Sequence, residues 1–425
     1  MFFRKKYIDK IKKYLPNKEN ILFLIGARQV WKTTLLKMLI ENWIIDWSKA
    51  VWIDGDKTSI SSYNELLLYL KAKTNLQKLE YLIIDEVHFI KNIWLILKNL
   101  IDDVRKEELN FKIICSGSGS LNVFKWLTDS LIGRYDIVYV RGFDFIEFLQ
   151  YKGLNLEQFD PSELNDFLID QVKPYFFEYL KFGCYPAVIT ASGEREKKIK
   201  LASIVEDYFY KDVRNLLNKV DFLNFNKVLK VLAERVGSIF SVSNFISEVW
   251  LTKYYFEKIK SVLENTFFVR FIPSFAWWKD KLELRKSSKV YFYDIGVWRY
   301  FLGLDEWIWD FKWKAVENFV FFQIVSNMDL YEDLYFWQRK NETEVDFVIL
   351  DKVDKILRLV EVKSWKKWSI PKSILSFLRF YSKPVKDIIV TYDGEYKERK
   401  IEDKIVKFIW YGFVEKIIRE SRYFN

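Results

Sequence analysis

The stretch that most constrains the fold is residues 21–34, which read ILFLIGARQVWKTT. Its first five residues are apolar and predict a buried strand, and the residues from Lys32 onward predict a helix. Gly26, Lys32 and Thr33 occupy three positions of the phosphate-loop pattern G-x-x-x-x-G-K-[ST]. Trp31 stands where the pattern has its second glycine. The segment therefore predicts a strand, a phosphate-binding loop and a helix, with one conflict in the loop.

The loop predicts ATP and Mg²⁺ as ligands. Lys32 is expected to reach the β- and γ-phosphates, and the hydroxyl of Thr33 is expected to bind Mg²⁺. The helix that begins near Lys32 adds its N-terminal dipole to phosphate binding. The predicted nucleotide-binding residues are Gly26, Ala27, Arg28, Gln29, Val30, Trp31, Lys32, Thr33, Thr34 and Ser118.

A second motif, LIIDE, ends the third predicted strand with Asp85 and Glu86. In phosphate-loop proteins such an aspartate helps to hold the Mg²⁺ ion, and the neighbouring acid is expected to orient the attacking water. A chance apolar strand that ends in Asp-Glu is the alternative. Because the two motifs follow strands one and three of an alternating pattern, we predict a catalytic nucleotide site with Lys32, Asp85 and Glu86.

Three other groups are candidates for the same site. The strand KIICSGSGS ends in Ser116, Ser118 and Ser120, and a hydroxyl there is placed to sense the γ-phosphate. Arg134 is a candidate to supply charge to the transition state, in its own subunit or a neighbouring one, and a salt-bridge role is the alternative. His88, the sole histidine, is interpreted as a packing or capping residue rather than a γ-phosphate contact.

Tryptophan is more frequent than glycine in this chain, with 17 against 14 residues. The backbone of a phosphate loop passes close to its ligand, so an indole at position 31 is expected to clash with a nucleotide. We hypothesise that the source reads UGA as glycine and that about twelve tryptophans are glycine in the cell, which would bring glycine near its usual share. A tryptophan-rich lineage with a decayed site is the alternative. The suspect positions include Trp31, Trp250, Trp277, Trp278, Trp365 and Trp368.

Composition sets the class of protein. The 425 residues are 50% hydrophobic and 30% charged, which is typical of a soluble chain of several domains. No stretch has the roughly 20 uncharged apolar residues of a membrane span. Two cysteines, Cys115 and Cys184, make no disulfide framework, so we expect a cytoplasmic location. The formal charge of +10 favours partners that carry phosphate.

The order of predicted elements divides the chain into four parts. Strands alternate with helices over residues 1–150, which predicts an α/β domain with a parallel sheet. Helices with aromatic stripes follow over 151–220 and predict a helical lid, whose aromatic residues we interpret as packing. Residues 221–288 have the spacing of a winged helix-turn-helix. Residues 289–425 return to mixed strands and helices.

The motifs GARQVWKTT, LIIDEVH, CSGSGS, LIGRY, FIEFL and FGCYPAV together resemble a family of prokaryotic AAA-type ATPases. Its members carry an uncharacterised C-terminal domain with a restriction-endonuclase-like fold. The later motifs KVYFYDIG, VENFVFFQI, TEVDFVI and VEVKS are similar to that domain. The resemblance covers nearly the whole chain and implies an ATP-binding P-loop NTPase core, a winged-helix segment and a nuclease-like end. Family members have glycine at the positions of Trp31 and Trp250, and often near Trp365.

The nuclease-like end carries its own candidate site. Nucleases of the restriction-like fold use an acid on one strand and Glu-x-Lys on its hairpin partner, and here these are Asp346, Glu361 and Lys363. Alternation along a strand puts Glu361 and Lys363 on one face. Glu317, from the preceding helix, would complete a Mg²⁺ site with Asp346 and Glu361. A solvated surface hairpin is the alternative.

These observations predict an ATP-hydrolysing, AAA-type protein that couples its nucleotide state to a DNA-contacting C-terminal half, with Mg²⁺-dependent cleavage as an open question. The alternative is a regulator or scaffold that does not hydrolyse ATP, with a degenerate site at Trp31. We expect ATP and DNA as partners and no membrane, and leave open a homo-oligomer.

Overall fold

A parallel sheet forms the centre of the N-terminal part of the chain. The computed structural model describes residues 2–118, 131–208, 213, 219–275, 287–303, 312–339, 343–363, 368–381 and 384–420. They divide into two compact units, residues 1–142 with 261–267 and residues 143–260 with 268–425. The predicted four-part division of the chain stays a prediction.

The sheet of the first unit has the strand order β2-β3-β4-β1-β5, with all neighbours parallel. Its central strand β1 is buried along its whole length, as a parallel sheet with helices on both faces requires. The predicted parallel α/β core is confirmed, with each strand within a few residues of its expected place. The strands are β1 (Ile21–Gly26), β2 (Ala50–Asp54), β3 (Tyr81–Asp85), β4 (Lys112–Ser118) and β5 (Tyr135–Tyr139).

Four helices of the first unit agree with the sequence pattern. α1 is amphipathic and buries Tyr7, Ile8 and Ile11. α3 begins after Ser62, whose hydroxyl accepts a hydrogen bond from the backbone N–H of Glu65 and so caps the helix. The four helices are α1 (Lys5–Tyr14), α2 (Lys32–Glu41), α3 (Tyr63–Lys73) and α4 (Ile93–Arg105).

The second unit begins with helices whose aromatic side chains pack together. Phe145 is fully buried, and its ring centroid lies 5.8 Å from Phe176 and 5.6 Å from Tyr179. The interpretation of these aromatic stripes as packing is confirmed. The helices are α5 (Phe145–Tyr151), α6 (Asp166–Phe182), α7 (Pro186–Ile189) and α8 (Gly193–Asp207).

A small antiparallel sheet of strand order β6-β8-β7 follows, with one helix before β6 and two helices between β6 and β7. Val269 of β7 pairs with Phe292 of β8, so β8 belongs to this sheet. The predicted boundary between residues 288 and 289 therefore falls inside a strand. These elements are α9 (Lys219–Glu234), β6 (Phe240–Ser241), α10 (Val242–Val249), α11 (Lys253–Asn265), β7 (Val269–Pro273) and β8 (Ser287–Phe292).

A mixed sheet of strand order β13-β14-β12-β11-β10-β9 closes the chain. The sequence pattern did not predict β13 and β14, because β13 is a charged edge strand, KERKI, without apolar alternation. The strands are β9 (Glu332–Arg339), β10 (Thr343–Asp351), β11 (Leu357–Val362), β12 (Val385–Tyr392), β13 (Lys397–Ile401) and β14 (Lys404–Trp410). The helices around it are α12 (Ile295–Leu302), α13 (Lys312–Asn327), α14 (Lys372–Phe380) and α15 (Val414–Glu420).

Three tryptophans have a backbone conformation that favours glycine. Ten non-glycine residues in the described part of the chain have a positive φ, and Trp31 (69°), Trp43 (56°) and Trp250 (59°) are among them. Trp43 and Trp250 follow the ends of α2 and α10, where glycine commonly terminates a helix. Both side chains are 87% exposed. The backbone therefore favours glycine at two suspected positions, Trp31 and Trp250, and at one that the sequence pattern did not single out.

We expect Trp250→Gly to stabilise the protein by about 1 kcal/mol, because a left-handed backbone is costly for any residue with a Cβ. The exposed indole has little packing to lose. Denaturant unfolding measures the difference. The matched control is Trp298→Gly, which removes a fully buried indole and should cost about 3–5 kcal/mol. A destabilised Trp250→Gly protein would contradict the expectation.

Candidate functional site

The phosphate loop of the first unit joins the end of β1 to the start of α2. Gly26 is packed so closely that a Cβ there would lie 2.0 Å from the carbonyl oxygen of Val140. Trp31 is the residue before α2, with φ 69° and ψ 36°. Its side chain makes no capping hydrogen bond to the helix. The loop therefore requires glycine at position 26 for space, and its backbone at position 31 has the left-handed conformation that glycine adopts most easily.

Lys32 is buried at the base of this loop. Its ammonium donates hydrogen bonds to the carbonyl oxygens of Gly26 at 3.2 Å and Ala27 at 2.8 Å. The side chain is thus held inside the turn that the sequence predicted as the phosphate cradle. Carbonyl oxygens stabilise an ammonium without carrying a full negative charge, so Lys32 keeps its positive charge at the base of the loop, where an anion would be attracted.

Thr33 and Asp85 meet at the carboxyl edge of the sheet. The Thr33 hydroxyl donates to Asp85 Oδ2 at 2.7 Å, and the Ser116 hydroxyl donates to Asp85 Oδ1. Asp85 is 5% exposed and lies at the end of β3. The structure therefore brings together the two residues that were predicted to hold one Mg²⁺ ion. A hydroxyl and a carboxylate are oxygen donors of the kind that Mg²⁺ prefers, so these two residues fit that ion.

Glu86, His88 and Ser118 form a second polar group beside Asp85. The backbone N–H of Glu86 donates to Ser116 Oγ at 3.1 Å. His88 lies between Glu86, 3.3 Å from its Nδ1, and Ser118, 3.4 Å from its Nε2. Burial lowers the pKa of His88 and favours its neutral form. His88 Nδ1 and Glu86 Oε2 are close but make no hydrogen bond to each other, so His88 contacts only Ser118 in this way. Ser120 lies outside the described residues.

Arg134 lies at the opposite edge of the sheet, which corrects its prediction as a catalytic residue of this same subunit. Tyr135, the next residue, pairs with Ile21 at the start of β1, whereas the phosphate loop follows the end of β1. At ~3.3 Å per residue, the length of β1 separates them by about 16 Å. Arg134 Nε instead lies 2.9 Å from Asp102 Oδ1, the salt bridge that was the alternative.

Two contributors to the first site were missed by the sequence reasoning. Arg4 is fully buried and donates to the carbonyl oxygens of Val30 at 3.1 Å, Arg141 at 2.9 Å and Gly142 at 2.9 Å. It thereby ties the phosphate loop to the segment after β5. No local signal in the sequence marks it, because its partners lie far along the chain.

Asp54 is the second missed residue, and it ends β2 in register with Asp85. Both line a cavity of 630 Å³ beside Thr33. A hydrogen bond from Trp52 Nε1 at 2.6 Å, with one from Lys57, lowers the pKa of Asp54 and keeps it charged. Its signal was present: like Asp85, it is an acid directly after a predicted apolar strand.

The C-terminal sheet of the second unit brings Asp346 and Glu361 together. Val362 N–H donates to Asp346 Oδ2 at 2.9 Å, and Asp346 N–H donates to Glu361 Oε2 at 3.4 Å. Lys363 Nζ lies 2.5 Å from Glu361 Oε1, which also accepts from Ser373 Oγ at 3.0 Å. Burial, followed by the charge of Asp346, raises the pKa of Glu361 to about 8. The predicted trio of Asp346, Glu361 and Lys363 is thus assembled.

The predicted Mg²⁺ ligands of this trio do not form a metal site with Glu317. Glu317 Oε1 accepts from Lys289 Nζ at 3.0 Å and from the Tyr291 hydroxyl at 2.5 Å. Lys289 also lies 3.3 Å from Asp346 Oδ1. Across the described residues, no group of three or more His, Cys, Asp or Glu side chains is placed to hold a metal ion. An ammonium occupies the space between the carboxylates instead.

Lys289 was missed, although its strand gave a signal. In the strand KVYFYD, Lys289 and Tyr291 share one face by two-residue alternation, and both are buried. A lysine on the inward face of an otherwise apolar strand requires buried acids to compensate it.

Comparison with known families divides the chain into three matched regions. Residues 18–149 match the family model described as an AAA domain. Residues 173–307 and 314–411 match domains of unknown function, DUF8612 and DUF4143. The AAA match spans the phosphate loop, Asp85 and Glu86. Over residues 18–149 the chain is therefore similar to an AAA domain.

One curated relative, the uncharacterized protein MJ1544 of Methanocaldococcus jannaschii, is 25% identical over 415 residues, which cover 92% of this chain and 86% of the relative. Two solved structures are more remote. A RuvB variant of Thermotoga maritima is 14% identical with a TM-score of 0.31, over 64% of this chain and 90% of that chain. The Aeropyrum pernix ORC1 protein in complex with DNA is 12% identical with a TM-score of 0.32, over 69% and 89%. TM-scores this low carry no argument about function.

None of the helices in the described ranges has the length and apolar character to cross a bilayer.

Arg4→Met should lower the free energy of unfolding by about 3 kcal/mol, because it leaves three buried carbonyl groups without their charged donor. The matched control is Arg134→Met, which removes a partly exposed ion pair and should cost at most about 1 kcal/mol. Denaturant unfolding of both variants against the parent measures the contrast. Equal losses would show that Arg4 does not anchor the loop.

Proposed function

We propose that the first unit binds ATP with Mg²⁺ and hydrolyses it. The observation that carries the proposal is the contact between Thr33 and Asp85 at 2.7 Å, directly beside the buried Lys32. A phosphate loop, its lysine and an acid on a neighbouring strand are the parts that such ATPases use. The match of residues 18–149 to an AAA domain supports the same conclusion.

Each residue of the site has a role in this proposal. Lys32 binds phosphate oxygens when its ammonium exchanges the carbonyls of Gly26 and Ala27 for the ligand. Thr33 and Asp85 would hold Mg²⁺, which supplies charge neutralisation to the phosphates when it is bound. Glu86, whose backbone N–H donates to Ser116 Oγ, orients the water that attacks. Arg134 lies too far from the loop to neutralise negative charge on the phosphates of its own subunit. We therefore propose that an arginine of a neighbouring subunit supplies this positive charge.

The indole of Trp31 is the obstacle to this function. It stands at the position of the loop that must pass closest to the phosphates. Its left-handed backbone conformation is one that glycine adopts easily, which supports glycine as the native residue at this position. We propose that Trp31, Trp43 and Trp250 are glycine in the protein that the cell makes. The codons decide this point: UGG at positions 31 and 250 would exclude recoding.

Trp31→Gly is expected to bind ATP at least tenfold more tightly than the protein with tryptophan at this position, and to hydrolyse it in the presence of Mg²⁺. Lys32→Ala in the Trp31→Gly background should lose both, because the phosphates lose their ammonium. Equilibrium binding of a fluorescent ATP analogue and phosphate release measure the two steps.

Two further variants separate binding from catalysis. In the Trp31→Gly background, Glu86→Gln should keep ATP binding and lose hydrolysis, because the amide does not activate water. Trp43→Gly is the matched control, since it relieves the same backbone strain away from the loop and should leave ATP binding unchanged. If Trp31→Gly binds no nucleotide, the alternative of a non-hydrolysing scaffold is correct.

We also propose that the C-terminal half contacts DNA. Residues 143–425 hold 45 Lys and Arg against 42 Asp and Glu, a net charge of +3 out of +10 for the chain, so the support is local and comes from one helix. α11 exposes Lys253 and Tyr254, which line a cavity of 490 Å³ together with Lys258 and one acid, Glu257. Lys260 is directed elsewhere, because its ammonium lies 5.2 Å from the ring centre of Phe271. Two lysines beside an exposed tyrosine fit a phosphate backbone, and the predicted winged helix would place them on DNA.

The double variant Lys253→Glu, Lys258→Glu should weaken binding to duplex DNA and lower the slope of log K against log salt by about two. Lys71→Glu with Lys73→Glu on α3 makes the same change of charge on another exposed helix and is the control. Fluorescence anisotropy over a range of salt concentrations gives both numbers. If both double variants weaken DNA binding equally, the effect comes from the net charge of the protein, and α11 is not a specific contact.

DNA cleavage is not proposed as a second function, because the ammonium of Lys289 contacts both Glu317 and Asp346, two of the acids predicted to bind Mg²⁺. The cytoplasmic location and the homo-oligomer stay predictions.

A further inference from the structure

Lys289 is a fully buried ammonium in a cluster of acids in the second unit. Its side chain is 1% exposed. Its Nζ lies 3.0 Å from Glu317 Oε1 and 3.3 Å from Asp346 Oδ1, and it also forms an ion pair with Glu344. Three carboxylates from two elements, α13 and β10, thus converge on one lysine of β8. This is the arrangement that an acidic cluster otherwise makes around a divalent cation.

The charges explain why the ammonium stays in place. Burial alone lowers the pKa of Lys289, but the surrounding charges, Glu317 first, raise it well above its ordinary value. The lysine is therefore charged and compensates acids that could not be buried alone. Removing it would leave the carboxylates of Glu317 and Asp346 facing each other without a counter-ion.

The backbone leaves the cluster little freedom to rearrange. Lys289 lies on β8, where it pairs in register with Ile272 of β7. On the other side, a Cβ at Gly237 would lie 2.7 Å from Glu317 Oε2, so Glu317 is packed against bare backbone. Neither the lysine nor its main partner can move away without disturbing a strand or a close contact.

The oxygens of the neighbouring trio are also engaged. Asp346 Oδ1 faces Lys289, and Asp346 Oδ2 accepts from Val362 N–H. Glu361 Oε1 accepts from Ser373 and lies beside Lys363, while Glu361 Oε2 faces Asp346 N–H. Every carboxylate oxygen of Asp346 and Glu361 is therefore directed at a protein donor rather than at a common point.

We propose that Lys289 is a built-in cation that replaces the divalent metal of a nuclease-like site. It fastens β8 to α13 and β10, so the three-stranded sheet and the six-stranded sheet are joined by an ion cluster. The site binds no Mg²⁺ in this arrangement. The second unit is then a contacting module and not a cutting one, and its acids serve structure.

Mn²⁺ is the probe for the first test, because its electron paramagnetic resonance signal distinguishes free from bound ion. The full chain without nucleotide and its Asp346→Asn variant are titrated in parallel. Any Mn²⁺ bound near Thr33 and Asp85 is bound in both proteins, so it does not contribute to the difference between the two titrations. The proposal predicts the same number of bound ions and affinities within twofold. Loss of one bound Mn²⁺, or a tenfold weaker site, in Asp346→Asn would overturn it.

The second test replaces the lysine itself. Lys289→Met should have a lower melting temperature than the parent in EDTA, and Mn²⁺ should restore several degrees of it. The Mn²⁺ shift should disappear when Asp346→Asn is added to Lys289→Met. Lys363→Met is the matched control, since it removes a lysine beside Glu361 and should create no Mn²⁺ response. A Lys289→Met protein with parental melting temperature and no response would refute the counter-ion role.

If Lys289→Met does not fold, the proposal is tested on the parent protein and its Asp346→Asn variant. In that case, nicking of supercoiled plasmid with Mn²⁺ is measured for the parent and Asp346→Asn. The proposal predicts no nicking that depends on Asp346. Nicking lost in Asp346→Asn would overturn it, and none of these measurements involves ATP.

Discussion

Parallel strands end at a common edge, and the nucleotide site of this protein depends on that geometry. β1, β3 and β4 end together, so Thr33 after β1, Asp85 on β3 and Ser116 on β4 meet although they are far apart in sequence. The same rule excludes Arg134, which precedes β5 and so lies at the amino edge. Residues at the carboxyl ends of these strands therefore lie near the site, and residues at the amino ends lie far from it. Their separation along the chain matters little.

Buried cations organise both units of the chain. Arg4 and Lys32 are compensated by backbone carbonyl oxygens, whereas Lys289 is compensated by carboxylates. The difference has a functional meaning. A carbonyl oxygen stabilises a cation without neutralising it, whereas a carboxylate neutralises it, so the two surroundings suit different ligands. Under the proposed functions, a buried cation supports a nucleotide site in the first unit and takes the place of a metal ion in the second.

Three tryptophans have a left-handed backbone conformation, which relates the unusual composition of the chain to its local structure. The chain has an excess of tryptophan over glycine, and Trp31, Trp43 and Trp250 adopt a conformation that glycine adopts without cost. At the last two positions the indole is exposed and helix termination explains the conformation. At Trp31 the same conformation lies in the phosphate loop, where the side chain also obstructs a ligand. The excess of tryptophan over glycine therefore bears directly on whether the phosphate loop can bind a nucleotide.

Much of the first unit was determined by the sequence itself, because its signals are local. Apolar runs of four or five residues predicted β1 to β3, and the pattern around Lys32 predicted the loop and helix that follow. Glu361 and Lys363 were likewise placed on one face by two-residue alternation, and the structure brings Asp346 beside them. Only the tertiary structure decided the partners of charged groups: Arg4 with Val30, Arg134 with Asp102 and Lys289 with Glu317. A buried charge takes whichever compensating group the folded chain brings near, and contacts over dozens of residues leave no trace in local periodicity.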